Sequence, residues 1–281
     1  MRRTLAATLA FLFLAAWMSA GNIRPVKSAD KGYMTAVDIP YTSSDEADQY
    51  RKERCKLDIY WPAEAEGFAT LVWFHGGGLE GGNKGLMDVF RRQGFAVVDV
   101  NYRLYPKVKC PGYIEDAAMA VAWVMEHIAE YGGDPSRVCV GGHSAGGYLT
   151  LMLTLDKRWL AGYGTDADRI ARSYPVGGQT MTHFTIKKER GMNVDIPYID
   201  DMAPSFHARK DGAPLMLITG DRELEMLARY EENLHLEAIL KHFSHPVSLY
   251  ELKGFNHVNV LYPACLLIRD DIRKVFGDSG R

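Results

Sequence analysis

Arg137-Val-Cys-Val-Gly-Gly142-His143-Ser144-Ala145-Gly146, followed by Gly147 and Tyr148-Leu-Thr-Leu-Met-Leu153, is the stretch whose reading decides the fold. A short apolar run at 137–142 has the length of a strand, and the apolar run after Gly147 continues as a helix. Between them stands Gly-x-Ser-x-Gly, the pattern of a serine carried on a sharp strand-to-helix turn. Neighbouring side chains would collide there, and Gly142 and Gly146 remove the collision. A helix starting at 145 points its free N–H groups toward Ser144 and favours negative charge developing beside it. Ser144 is therefore the candidate nucleophile. An ordinary glycine-rich turn could carry the same five residues, but the strand before and the helix after favour chemistry.

A nucleophilic serine needs donors for the oxygen that becomes negative, a base and an acid. His75-Gly76-Gly77-Gly78 ends another apolar run, 69–75. Successive glycines leave backbone N–H groups unshielded, and one such donor is worth about 2.7–4 kcal/mol in the transition state. Gly77 and Gly78 are the favoured donors, with Gly76 close behind and the Ala145 N–H as their partner; His75 reads as a structural brace for the loop. For the base, His257 in Gly254-Phe-Asn-His257 follows the last strand pattern, where sites of open α/β sheets collect. His143 lies inside the turn and cannot fold back. His127 reads as a helix residue, His242 and His245 flank a helix end, and His183 and His207 fall in a less regular segment where they could touch substrate, His183 being carried as a weak candidate. The acid should follow the strand 214–219, in Gly220-Asp221-Arg222-Glu223-Leu224. Asp221 is a good N-cap, which leaves Glu223 as the favoured acid and Asp221 as the alternative.

Outward from these motifs the chain alternates strands and helices. Strands are expected at 34–41, 55–61, 69–75, 95–102, 137–142, 171–176, 214–219 and 246–252. Helices are expected at 84–93, 114–131, 145–155, 224–243 and 259–276. The runs at 69–75, 95–102 and 214–219 are almost continuously apolar, as central parallel strands are when both faces are covered. This predicts an α/β fold: about eight strands, mostly parallel, with helices on both faces and an antiparallel edge from the early strands. The polar and aromatic segment 156–213 leaves room for a small lid.

Composition narrows the function classes. The 281 residues are 47% hydrophobic and 24% charged, with a formal charge of -2 from 33 basic and 35 acidic residues. That excludes a disordered chain, a collagen-like fibre and a polytopic membrane protein, and it leaves no basic excess for nucleic acid. Arg2 and Arg3 precede an uncharged, apolar run to Ala20, the pattern of an export signal. The expected organisation is a signal peptide at 1–20, a linker at 21–31 and a catalytic unit at 32–281, exported to the periplasm or outside, a retained anchor being the less favoured reading. Loss of residues 1–20 removes two arginines and no acid, giving -4. Cys55, Cys110, Cys139 and Cys265 show no metal-like spacing; Cys139 reads as a buried thiol, and a Cys55–Cys110 bridge is an open alternative. No metal or cofactor is expected.

The three motifs together resemble the α/β-hydrolase fold, and within it the esterases and lipases similar to hormone-sensitive lipase. The third motif is Asn101-Tyr102-Arg103-Leu104-Tyr105-Pro106, which looks like that family's Tyr-Arg-Leu-Ala-Pro-Glu. The resemblance covers about residues 34–276. It implies a serine carboxylesterase working through an acyl-enzyme, and its Gly-x-x-Asp pattern places Glu223 at the acid position. Lys107 stands where the family has glutamate, Tyr105 replaces alanine, and no large N-terminal cap is present, which argues against lipid-like substrates. Acetyl or feruloyl esters of carbohydrates are one implied substrate class. A short-chain lipase or a peptidase on the same fold, or a non-catalytic ligand-binding relative, are the rival expectations.

Overall fold

The computed structural model describes residues 26–27 and 30–277. The expected signal peptide at 1–20 lies outside the described residues. Among these residues nine strands form one sheet in the order β1-β2-β3-β5-β4-β6-β7-β8-β9. They are β1 (Val26–Lys27), β2 (Tyr33–Pro40), β3 (Lys56–Pro62), β4 (Phe68–Phe74), β5 (Ala96–Val100), β6 (Gly133–His143), β7 (Arg172–Val176), β8 (Leu215–Gly220) and β9 (Val247–Leu252). The first four in sheet order pair antiparallel, and from β5 onward every neighbour is parallel. All eight expected strands are present, each within a few residues of its expected bounds. The ninth is the two-residue β1, paired with Met34 and Thr35, so the stretch expected as linker contributes to the sheet edge.

Among the described residues seven helices accompany the sheet: α1 (Gln49–Arg54), α2 (Gly112–His127), α3 (Ala145–Leu155), α4 (Arg158–Ala161), α5 (Phe184–Glu189), α6 (Arg229–His242) and α7 (Leu261–Phe276). α2, α3 and α6 pack on one face. There Ile114, Val121, Tyr148 and Leu149 meet Val72, Phe74 and Val98, while Leu236 and Leu240 meet Leu151, Leu155 and Leu217. α7 covers the other face with Ala264, Cys265, Ile268 and Ile272, a one-sided stripe set against Trp73, Val97 and Ile218. The parallel strands are covered on both faces, which is why β4 and β5 are buried along their whole length.

Two expected helices differ. The pattern at 84–93 forms only a 3-10 turn at Asp88–Phe90, because Phe90 is drawn under Trp73 and Phe95 and Arg92 takes a left-handed φ of 57°. The helix expected from 224 begins at Arg229, after a separate turn that bears on the acid described below. All four cysteines are free thiols, so Cys55 and Cys110 are not bridged. Among the described residues no helix is long and apolar enough to cross a membrane.

Among the described residues the core holds a buried carboxyl with an unpartnered oxygen. Asp99 on β5 is 3% exposed, and its Oδ1 finds no hydrogen-bond partner among the described residues. Burial, and after it the neighbouring Asp58, push its pKa up to about 7. Its folded pKa therefore lies above the unfolded value of about 3.9. Its contribution to stability is full below pH ~4 and is lost as pH rises through about 7. Thermal melts of the wild type should fall between pH 5 and pH 8, and Asp99→Asn should flatten that fall and melt higher at pH 8. Parallel pH profiles for the two proteins would contradict this account of Asp99.

Candidate active site

Ser144 stands between β6 and α3 with φ 56° and ψ -115°, a left-handed backbone that a residue with a side chain rarely adopts. Its neighbours explain how it is held there. A Cβ on Gly146 would lie 2.0 Å from the Phe74 carbonyl oxygen, and one on Gly142 would lie 2.5 Å from the Gly146 backbone. The Ser144 N–H donates to the Val176 carbonyl at 2.7 Å. The turn is thus wedged between β4 and β7, and only glycine fits at its two flanks. The Ala145 N–H opens α3 beside the serine, in the first turn where no helical carbonyl is available to it.

His257 and Ser144 meet, with Nε2 2.8 Å from Oγ. The His257 Nδ1 meets a carboxylate, but it belongs to neither expected residue. It is Glu225, whose Oε1 makes a very short contact and whose Oε2 lies at 3.1 Å. The Glu225 side chain is fully buried. Glu223 is exposed, and Asp221 is spent on another task. The cause is the turn at 221–225, closed by Leu224 and Glu225 N–H groups donating to the Asp221 carbonyl at 2.8 Å. In such a turn residues two apart point to opposite sides. With Glu225 turned inward, Glu223 points to solvent. The Asp221 carboxylate accepts from the N–H of Glu223 (3.1 Å) and Gly254 (2.9 Å), so it does cap the turn and also ties it to the loop that carries His257.

Four further residues hold His257 and its surroundings in place. The His143 ring donates from Nε2 to the His257 carbonyl at 2.7 Å, and burial lowers its pKa to about 4, keeping it neutral. Gly177, with φ 55°, leaves room for the His257 ring: a Cβ there would lie 3.0 Å from Cε1. Arg229 on α6 donates to the Gly177 carbonyl, and the Glu232 carboxylate accepts from the N–H groups of Thr180 and Met181. Arg229 and Glu232 are paired and nearly fully buried.

The glycine loop lies on the other side of the serine. A Cβ on Gly76 would come within 3.3 Å of the Ser144 Cβ. Gly77 and Gly78 have φ of 114° and 63°, and a Cβ on Gly77 would strike the Gly81 carbonyl at 2.3 Å. Among the hydrogen bonds of the described residues, none uses the N–H of Gly77 or Gly78. The Tyr102 hydroxyl donates to the His75 carbonyl at 2.7 Å, and Arg103 forms a bidentate ion pair with the fully buried Asp116, whose Oδ1 also meets Arg51. The Asn101–Pro106 motif is therefore the frame behind this loop.

His183, carried as a weak substrate contact, is 1% exposed. Its Nδ1 accepts the Thr185 N–H at the start of α5, and its ring lies against Tyr148 and Phe184, so it is not available to substrate. Beside it Phe184 does reach the loop, its ring edge 3.0 Å from where a Gly78 Cβ would be, and the Thr185 hydroxyl donates to the Gly78 carbonyl. His207 bonds the Asp201 carbonyl at 2.8 Å, next to Asp156. Among the described residues no group of three His, Cys, Asp or Glu side chains could hold a metal.

The model of the prolyl oligopeptidase family matches residues 114–259, just over half of the chain, from the first turn of α2 through His257. The chain belongs to the prolyl oligopeptidase family. A second model, BD-FAE, matches residues 57–170, which include the glycine loop and the serine turn. Among curated proteins, the chain is 31% identical over 175 residues to the probable carboxylic ester hydrolase LipM of Mycobacterium tuberculosis, covering 54% of this chain and 40% of that protein. It is 39% identical over 101 residues to carboxylesterase NlhH of the same organism, covering 34% of this chain and 32% of that one. The chain thus spans less than half the length of either relative. Among solved structures, a truncated carbohydrate esterase from gut microbiota superposes with a TM-score of 0.71 at 16% identity, over 91% of this chain and 100% of that chain. The apo form of Thermogutta terrifontis esterase 2 superposes at 0.67 with 20% identity, over 86% and 94%. These likenesses establish the α/β-hydrolase fold of this family member.

The geometry separates the three acidic candidates. Glu225→Gln should lower kcat for an ester by roughly 10⁴-fold, because the amide cannot hold His257 in the tautomer that accepts the serine proton. Glu223→Gln should stay within twofold of wild type. Asp221→Ala should fall between, through loosening of the 253–257 loop. Steady-state rates of the three purified variants decide, and a large loss at Glu223 with none at Glu225 would reverse the assignment.

Proposed function

We propose that the protein is a serine carboxylesterase acting through an acyl-enzyme. The single observation that carries this reading is the chain of contacts from Ser144 Oγ to His257 Nε2 and from His257 Nδ1 to Glu225. The curated relatives named as ester hydrolases support the choice of substrate class.

In this mechanism His257 accepts the Ser144 proton as Oγ attacks the ester carbonyl. Glu225 keeps Nε2 free of a proton before attack and stabilises the imidazolium afterwards. The carbonyl oxygen, now an anion, takes hydrogen bonds from the N–H groups of Ala145, Gly77 and Gly78. His257 then returns its proton to the departing alkoxide, leaving an acyl-serine and a free alcohol. Water, deprotonated by the same histidine, attacks the acyl-serine; the Oγ–acyl bond then breaks, His257 returns the proton to Ser144 Oγ, and the acid is released. Every proton is moved by side chains of this chain.

The substrate is a small-molecule or carbohydrate-linked ester. The carbohydrate part draws on the superposition with an enzyme described as a carbohydrate esterase. For the acyl part the proposal takes acetyl or feruloyl, the classes that the motif resemblance implies. Export, carried by the charged and apolar pattern of residues 1–20, belongs to the same proposal. A peptidase is the second reading, favoured by the family model.

Ser144→Ala should abolish hydrolysis of p-nitrophenyl acetate and remove labelling by a fluorophosphonate probe, while its melting curve stays near wild type. A panel of acetyl, feruloyl and long-chain esters beside peptide p-nitroanilides should show turnover of the first two. Preferential cleavage of the anilides would favour the peptidase reading, and an unlabelled, inactive wild type would overturn both.

A further inference from the structure

Arg54, at the end of α1, lies outside every motif that led to the site, yet its guanidinium reaches into the glycine loop. Nε donates to the Tyr102 carbonyl at 3.0 Å and Nη1 to the Asn83 Oδ1 at 2.6 Å. Nη2 donates to the Gly82 carbonyl at 2.5 Å and meets the His75 Nε2 at 3.1 Å. One planar group thereby joins the end of β4, the start of the segment after β5 and the far limb of the loop.

The contact with His75 has a further consequence. Arginine has only donors, so the His75 Nε2 must accept, and the ring proton sits on Nδ1. Nδ1 lies 2.7 Å from the Gly76 carbonyl and donates to it. Burial, with Arg54 nearby, lowers the His75 pKa to about 4 and keeps this single neutral tautomer. The ring is stacked on Tyr102, 4.4 Å between centroids and 13° from parallel, which fixes its plane. The Gly76 carbonyl and the Gly77 N–H belong to one peptide unit. A hydrogen bond accepted at that carbonyl both orients the N–H and strengthens it as a donor. Gly82 is glycine for the same reason: a Cβ there would lie 2.4 Å from both the Gly76 oxygen and the His75 Nδ1.

Arg54 also differs from its cationic neighbours. Arg51 and Arg103 pair with Asp116, whereas among the described residues no carboxylate lies within ion-pair distance of Arg54. Its charge is spent on neutral acceptors, all in or beside the loop.

We propose that Arg54 is a positioning residue for the oxyanion site: acting through His75, it orients and polarises the Gly76–Gly77 peptide whose N–H receives the oxyanion. The inference rests on the esterase reading above. It requires that Arg54 matter where negative charge develops on the carbonyl oxygen, and not where the planar ester binds.

The test compares wild type, Arg54→Lys, Arg54→Ala and His75→Gln on p-nitrophenyl acetate, with the affinity of a trifluoromethyl ketone, which forms a tetrahedral adduct on the serine. Removing a whole oxyanion donor costs roughly 10²–10³-fold in kcat, so a misaligned one should cost about 10- to 100-fold. The expected result is a kcat loss of that size in both arginine variants, KM within twofold, and a ketone affinity that falls in step with kcat/KM. Lysine should not rescue, because a point charge cannot span four acceptors. A merely structural role would lower the melting temperature without linking ketone affinity to kcat/KM. Should Arg54→Ala fail to fold, Arg54→Lys and His75→Gln carry the same comparison. Folded Arg54 variants with wild-type kcat and ketone affinity overturn the inference alone. A wild type that hydrolyses no ester and takes no fluorophosphonate overturns the reading of the whole site.

Discussion

Three backbone segments approach more closely behind Ser144 than side chains allow. Gly146 sits where a Cβ would overlap the Phe74 carbonyl, Gly142 where it would overlap Gly146, and Gly147 where it would press on Val176 and Gly178. α3 is thereby driven against the ends of β4, β6 and β7, and the serine is left with a backbone it would not choose. A strained non-glycine residue of this kind costs of order 1–3 kcal/mol and persists only where its surroundings over-determine it. Here they do: Val176 holds its N–H, α3 grows from its carbonyl, and the buried side chains of α3 lock the helix to the sheet. The result is an outward Oγ and a helix N-terminus aimed at one point.

The remaining parts are delivered by the parallel half of the sheet. β4, β6, β8 and β9 run the same way, so the segments that follow them leave from one edge, and these carry the glycine loop, Ser144, Glu225 and His257. Adjacency in the sheet alone does not align them. Asp221 ties the Glu225 turn to the 253–257 loop, His143 holds the His257 carbonyl, and Arg229 and Glu232 fasten the Gly177–Met181 segment against which the imidazole rests. The glycine loop has its own frame of Tyr102, His75 and Arg54. Both frames are built of buried or half-buried polar groups whose partners are mostly backbone carbonyls and amides. That is how a loop is kept rigid without a strand or helix of its own.

Some of this was legible residue by residue. The serine turn and the glycine loop are short, contiguous patterns whose steric demands can be met only by particular residue types, so they can be recognised without knowing what packs on them. His257 was legible from its place after the last strand. The acid was not. Asp221, Glu223 and Glu225 lie within five residues of one another, and nothing local distinguishes a carboxylate that turns inward from one that turns out. The late start of α6 at Arg229 was hidden by a helical pattern that runs back through 224, and that same displacement moved the acid by two residues. His183 was misplaced for the converse reason: a histidine in a polar, irregular segment looks available, and only its packing against Tyr148 and Phe184 shows it buried.

By itself, then, the sequence determined the α/β alternation and marked the serine turn, the histidine after the last strand and the glycine loop, because periodicity and close backbone approach leave marks on consecutive residues. The tertiary structure alone decided which carboxylate meets His257, which helix starts late, and that Arg54 on α1 bonds a loop more than twenty residues away. Those choices depend on where separate segments meet, and a meeting of distant segments selects among chemically equivalent residues by position, which composition and spacing do not record.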